Sequence, residues 1–184
     1  MTHEYKKIYQ TRIKSTLKEK FKYNNDHKIP KLVKIQLNRG LGLGAQNRMV
    51  LQKTIEEVRI ITGQQPIITK SKKSIAGFKT REGMELGVTV TLRNDLMYAF
   101  LEKLIHLVFP RIRDFRGLNP DSFDENGNYN LGIREQLVFP DIDYNMIDQI
   151  RGYNISIVTT AQTPEEGRVL LQEFGFPFRK PSNV

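Results

Sequence analysis

Apolar positions recur every four residues at the start of the chain, at Tyr5, Tyr9, Ile13, Leu17 and Phe21, with lysines between them. That spacing predicts an amphipathic helix with one apolar stripe and one Lys-rich face, ending before Asn24 and Asn25. After Pro30 the period shortens to two: Val33, Ile35 and Leu37 alternate with Lys34, Gln36 and Asn38, which predicts a half-buried strand with one polar face. Gly40, Gly42 and Gly44 break the strand, and Leu51, Ile55, Val58 and Ile61 then mark a helix stopped by Gly63. Ile67 and Ile68 after Pro66 predict a short second strand. Leu86, Val88, Val90 and Leu92 predict a third, with Thr89, Thr91 and Arg93 on its polar side. Between these two, residues 71–85 lack periodicity and read as a long, exposed, flexible loop.

Asp95 is the expected N-cap of a helix through Phe100, Leu101, Leu104, Ile105 and Val108, ended by Pro110. Asn126-Gly127 is a turn dipeptide leading into a fourth strand at Tyr129, Leu131 and Ile133, and a short helix is expected over residues 144–150. Tyr153, Ile155, Ile157 and Thr159 alternate as a fifth strand, followed by Thr163 as N-cap, Pro164 at the first helical position and Gly175 as the stop. Strands with one wet face suit antiparallel pairing. The expected fold is therefore α+β: a five-stranded, mainly antiparallel sheet with helices packed on one face. Residues 1–180 are expected to form one domain with a long basic loop at 70–85. Residues 177–184, and 181–184 above all, read as a loose tail.

Charge changes the picture from fold to partner. The 184 residues carry a net +9, with 39% hydrophobic and 27% charged side chains, a composition that folds rather than stays disordered. The excess lies early, with ten basic and three acidic residues up to position 34 and five basic and no acidic residues over 69–81. The last 66 residues hold five basic and ten acidic side chains. A polyanion should dock on the first two thirds, nucleic acid being the first candidate and an anionic membrane the second. The absence of Cys excludes disulfide scaffolds, thiolate metal sites and cysteine nucleophiles, and His3, His27 and His106 have no metal-ligand spacing. No apolar run approaches the roughly 20 residues of a membrane span, and the polar N-terminus lacks a signal-peptide core.

Four motifs carry candidate chemistry. Gly40-Leu41-Gly42-Leu43-Gly44-Ala45 satisfies a dinucleotide-binding pattern after a strand and before a helix, but the next strand ends at Thr69-Lys70 where an acidic residue should hold a ribose. It reads as a turn, with a nucleotide-binding enzyme as the competing class. Lys70, Ser71, Lys72, Lys73, Ser74, Phe78, Lys79 and Arg81 combine cations for phosphates, hydroxyls for phosphate or sugar oxygens and a ring able to stack on an unpaired base. Arg111, Arg113 and Arg116 surround Asp114, either to meet RNA or to pair with that aspartate and hold the loop. Asp121, Asp124, Glu125, Asp141 and Asp143 match no EF-hand spacing and read as solvated acids. No nucleophile with a base is visible, so no catalytic residue, metal ligand or cofactor is assigned.

Several blocks, in order, resemble one family: IPKLVKIQLN at 29–38, TGQQPIITKSKKSIAGFKTREG at 62–83, VTLR at 90–93, PRIRDFRGL at 110–118, SFDENGNYNLGIREQ at 122–136, FPDIDY at 139–144 and GFPFRK at 175–180. The chain resembles the large-subunit ribosomal protein five family, bacterial and organellar proteins that bind 5S ribosomal RNA in the central protuberance. The resemblance implies an RNA-recognition-like sandwich and a structural role rather than an enzymatic one. It implies 5S RNA contacts at Asn38, Gln64 and Thr91, which Lys14, Lys18, Lys34 and Arg93 would reinforce by charge. It further implies attachment to 23S rRNA, approach of the basic loop to the elbow of P-site tRNA, a bridge from the acidic C-terminal part to a basic small-subunit protein, and neighbouring central-protuberance proteins as partners. No membrane or cofactor is implied. Arg39 stands where many bacterial relatives have Met, and Leu43 near an acidic position of the family. The Asn-Arg-Gly-Leu-Gly version is similar to cyanobacterial and plastid members, which places the expected ribosome in a plastid, encoded there without a transit peptide, or in a bacterial cytoplasm.

Overall fold

The computed structural model describes residues 4–144 and 147–179. Helix α1 (Glu4–Ile8) runs through a π-helical turn (Tyr9–Ile13) into α2 (Lys14–Phe21). The turn has a cause in the pattern. At about 100° per residue, a strict four-residue repeat drifts by about 40° at each step around an α-helix. A wider π turn takes up that drift, and Tyr5, Ile13 and Leu17 all end up buried. Lys22, in the left-handed conformation, closes α2 before Asn24.

The strands are β1 (Leu32–Gly40), β2 (Ile67–Lys70), β3 (Glu85–Leu92), β4 (Tyr129–Ile133) and β5 (Tyr153–Thr159), in the sheet order β2-β3-β1-β5-β4. β2 and β3 pair antiparallel with Ile67 opposite Thr89 and Thr69 opposite Gly87. Leu41 N donates to Leu86 O while Thr89 Oγ1 donates to Leu37 O, so β1 and β3 are antiparallel as well. The architecture is the α+β, five-stranded antiparallel one expected. Helix α3 (Arg48–Thr62) is capped by Asn47, whose side chain accepts from Met49 N, and ends at Gly63 with φ +69°. Helix α4 spans Asn94–Lys103. Helix α5 (Pro164–Glu173) starts at Thr163, whose hydroxyl accepts from Glu166 N.

By backbone contacts the chain clusters into two compact units. One comprises the chain up to Ile35, Arg93–Leu131 and the chain from Ser156; the other comprises Gln36–Leu92 and Gly132–Ile155. In the first, Tyr5, Tyr9 and Tyr98 gather around Phe174, with Ile13, Leu17 and Leu101 also fully buried. In the second, Leu37, Val88, Val90, Leu51, Val58 and Ile61 form the core.

Four local expectations change. Asp95 lies inside α4 rather than capping it; Arg93 holds the cap position without a side-chain cap, and the Asp95 carboxylate is drawn to Lys6 Nζ at 2.8 Å. The long loop after β2 is ordered by its own backbone: Ser71 N donates to Met84 O, Gly83 N to Ser71 O, and Ile75 and Thr80 exchange both bonds. Pro177, Phe178 and Arg179 are not loose, because Leu118 pairs with Phe178 as a parallel bridge. Ile147–Ile150 carry no helix, while Asn145, Met146 and the tail at 181–184 lie outside the described residues.

Candidate nucleic-acid interface

The alternation of β1 puts Ile35, Leu37 and Arg39 on the buried side and Gln36 and Asn38 on the other. Gln36 Nε2 donates to Thr89 Oγ1 at 3.3 Å, so Gln36, Asn38, Thr89 and Thr91 share one face. The β2–β3 register adds Thr69 and Ile67, and Ile67 is 70% exposed. In this unit the opposite face, bearing Val88, Val90 and Leu92, is the buried one. A polar sheet face thus stays open to solvent.

Gln36, Thr89 and Gln64 are already held by hydrogen bonds. Gln64, just beyond α3, donates from Nε2 to Thr91 O at 3.1 Å, so two of the three residues expected to read RNA lie side by side. Thr62 fixes the approach: its hydroxyl donates to Val58 O and accepts from Gln64 N. Asn38 is exposed, and its side-chain amide makes no hydrogen bond among the described residues. Gly87 lies between these strands because a Cβ there would fall on Arg39 O, with Thr69 Oγ1 3.2 Å away. Only hydrogen lets β3 pass β1 this closely.

Beneath the face lies a group that alternation alone did not reveal. Arg39 is 1% exposed and forms an ion pair with Glu57, itself 2% exposed, on α3. Its guanidinium lies 3.9 Å from the Tyr153 ring centroid and donates to Gly152 O and Arg151 O, both at 3.3 Å. Tyr153 OH lies 3.4 Å from Glu57 Oε2. Burial lifts the Tyr153 phenol above its ordinary value, and the Arg39 charge offsets part of that rise. Gln136, fully buried, continues the network by donating to Gln149 O and accepting from Arg151 N. A signal was present in the sequence: an arginine in the inward register of a strand and a glutamate within the buried stripe of a helix call for each other.

The basic loop leaves β2 in the same unit. Lys72, Lys73, Ser74, Phe78, Lys79 and Arg81 are exposed, Phe78 by 72%, while Lys70 lies 3.9 Å from Glu85. The hydroxyls have structural duties as well: Ser71 Oγ donates to Lys73 O, and Ser74 Oγ accepts from Glu82 N. The remaining candidates belong to the other unit. Lys14 and Lys18 both bond to Asp26, at 3.1 and 2.7 Å, and hydrogen bonds from Lys18 and then Lys14 hold that carboxyl at about 2. Lys34 is half-buried; Arg93, Arg111, Arg113 and Arg116 are exposed. Asp124 is no solvated acid, because it accepts from Asn126 N, Asn128 N and Asn128 Nδ2 and so shapes the Asn126-Gly127 turn.

The glycine turn does not make a nucleotide site. It is a 3-10 turn (Gly42–Gln46) after an antiparallel strand, where a dinucleotide fold requires a parallel one, and no atom lies within 4 Å of a Cβ built at Gly40, Gly42 or Gly44.

The described residues present an open polar sheet face and, in the same unit, an ordered basic loop, both exposed to solvent. The family "Ribosomal protein L5" matches residues 25–81, and the C-terminal part of the same ribosomal family matches residues 85–178. The chain is 61% identical over 180 residues to the large ribosomal subunit protein uL5c of Heterosigma akashiwo, covering 98% of this chain and 99% of that one. It is 60% identical over 179 residues to the large ribosomal subunit protein uL5 of Rippkaea orientalis, with 97% and 99% covered, and 58% identical over 179 residues to that of a Synechocystis strain, with the same coverage. The chain belongs to the ribosomal protein L5 family. It is a structural component of a large ribosomal subunit of plastid or bacterial type and not an enzyme.

Proposed function

We propose that within the large subunit this chain binds 5S rRNA through the open face of β1 and β3, with Asn38, Gln64 and Thr91 setting the register. The observation that carries the reading is the pre-ordering of that face. Gln64 is held on Thr91 O, Gln36 on Thr89 Oγ1, and Asn38 offers a free amide beside them. Amides and hydroxyls fixed before binding give up little conformational freedom when they meet sugar edges, bases and phosphates. Lys14, Lys18, Lys34 and Arg93 supply sequence-independent attraction. The ordered loop from Lys70 to Arg81 extends to P-site tRNA and 23S rRNA, with Phe78 as a stacking ring. The acidic C-terminal third meets a basic small-subunit protein across the subunit interface, and neighbouring proteins complete the central protuberance around the 5S rRNA.

Asn38→Ala tests the reading directly. Loss of one or two net hydrogen bonds of about 1 kcal/mol each lowers 5S rRNA affinity by roughly 5- to 30-fold. Because Asn38 carries no charge, the slope of log K against log salt stays unchanged. An unaltered affinity removes Asn38 from the interface.

A further inference from the structure

The arginine loop at 111–116 is a second cationic surface, and its build differs from that of a solvated charge run. After the 3-10 turn Phe109–Arg111, Phe115 stacks flat on the buried Phe109 ring, with centroids 5.8 Å apart and planes 2° from parallel. Gly117 follows at φ +97°, and a Cβ there would lie 2.9 Å from Arg179 N, so the two segments touch backbone to backbone. Leu118 N donates to Pro177 O at 2.8 Å and Arg179 N to Leu118 O at 2.9 Å. Phe109 and Phe178 both pack against Phe176, which anchors the two segments on one aromatic cluster. The loop is therefore held on both sides, yet Arg111, Arg113, Arg116 and Arg179 are all exposed.

Among the described residues none of these four arginines makes a side-chain hydrogen bond or ion pair, and Asp114, at φ +54°, pairs with none of them. The alternative role, an aspartate clamp that merely holds the loop, is thereby excluded, because the loop is held by aromatic stacking and backbone bonds instead. Four planar guanidinium forks on a fixed backbone suit phosphate oxygens, which they meet bidentately. Exposed and unpaired, these guanidinium groups are screened by water and salt rather than by a neighbouring carboxylate, which leaves their N–H donors available to an external anion.

We propose that Arg111, Arg113, Arg116 and Arg179 form a backbone-reading site for structured ribosomal RNA, built from residues other than those of the sheet face and blind to sequence. The inference goes beyond the 5S assignment and stands on the loop geometry and on membership of a ribosomal family.

The test titrates salt against binding of the full chain to an RNA duplex of arbitrary sequence, about 20 base pairs long. The triple variant Arg111→Gln, Arg113→Gln, Arg116→Gln leaves every bond that holds the loop in place. Each phosphate contact contributes about 0.9 to the slope of log K against log salt, by the duplex rule. The variant is expected to lose about 2 to 3 from that slope and more than tenfold in affinity at low salt. Arg48→Gln, Lys53→Gln, Arg168→Gln removes three exposed cations from α3 and α5 and is expected to change the slope by less than 1. Equal losses in the two variants would mean diffuse charge and overturn the site, and an unchanged slope in the arginine variant would overturn it too. The 5S reading is separable, because its failure appears as loss of discrimination between 5S rRNA and a control RNA in the unaltered chain.

Discussion

Replacing Arg39 by Met isolates the energetics under the sheet face. In this chain the substitution strands the Glu57 carboxylate, 2% exposed in the parent, with Oε1 lacking a hydrogen-bond partner among the described residues and Oε2 left, among them, with the Tyr153 hydroxyl at 3.4 Å. Breaking a buried pair from one side costs about 3–5 kcal/mol, because the remaining charge stays desolvated. For a chain of this size each kcal/mol lowers Tm by about 2–4 °C, so Arg39→Met should melt roughly 6–20 °C below the parent. Replacing both partners removes the orphaned charge. Arg39→Met, Glu57→Leu should recover most of the loss, short of the two carbonyls at Arg151 and Gly152 that lose a donor. Thermal and urea unfolding of parent, singles and double close a mutant cycle, with an expected coupling of about 2–3 kcal/mol. A single-variant cost below about 1 kcal/mol, or additive singles, would refute the claim that this pair is a tightly coupled buried unit.

Four further outcomes follow from the same geometry. Gly87→Ala should cost about 1–3 kcal/mol, because its methyl falls on Arg39 O and the strands must part; hydrogen exchange should show the loosening at Asn38 and Arg39. Asp26→Asn frees Lys14 and Lys18 and should strengthen RNA binding at low salt while steepening its salt dependence; no change would show that those lysines do not meet RNA. In the parent, Asp26 is held at about 2, below its unfolded value near 4, so its contribution is present above about pH 5 and is lost as pH falls from about 4 to 2, which carboxyl NMR titration would follow. Lys72→Ala, Lys73→Ala should spare affinity for isolated 5S rRNA and reduce tRNA engagement on assembled ribosomes, and a large loss of 5S affinity would contradict that division.

What the sequence disclosed, and what it hid, follows from where the signal resides. Side-chain period placed four of the five strands and the Ile67-Ile68 pair after Pro66 marked the other, while Gly63 marked the end of α3 and Thr163 and Gly175 bracketed α5; the Asn47 cap of α3 went unread. The polar face was legible as Gln36, Asn38, Thr89 and Thr91, because alternation is a property of one strand at a time. Choosing Asn38, Gln64 and Thr91 from it took the family resemblance, since exposed amides and hydroxyls carry no intrinsic label. The Arg39–Glu57 pair stayed hidden because arginine counts as polar in any alternation. The order in the loop at 71–85 is made by backbone bonds that leave no trace in side-chain pattern. The Leu118–Phe178 bridge joins residues far apart in sequence, so no local signature marks it.

The central claim is that a shaped, pre-ordered face, and not charge alone, selects the RNA. Its most direct measurement is a salt titration of the full chain against 5S rRNA and against a length-matched hairpin. The account predicts tight binding to 5S rRNA that persists at moderate salt while binding to the hairpin collapses. Equal affinities for both RNAs, falling together as salt rises, would contradict it.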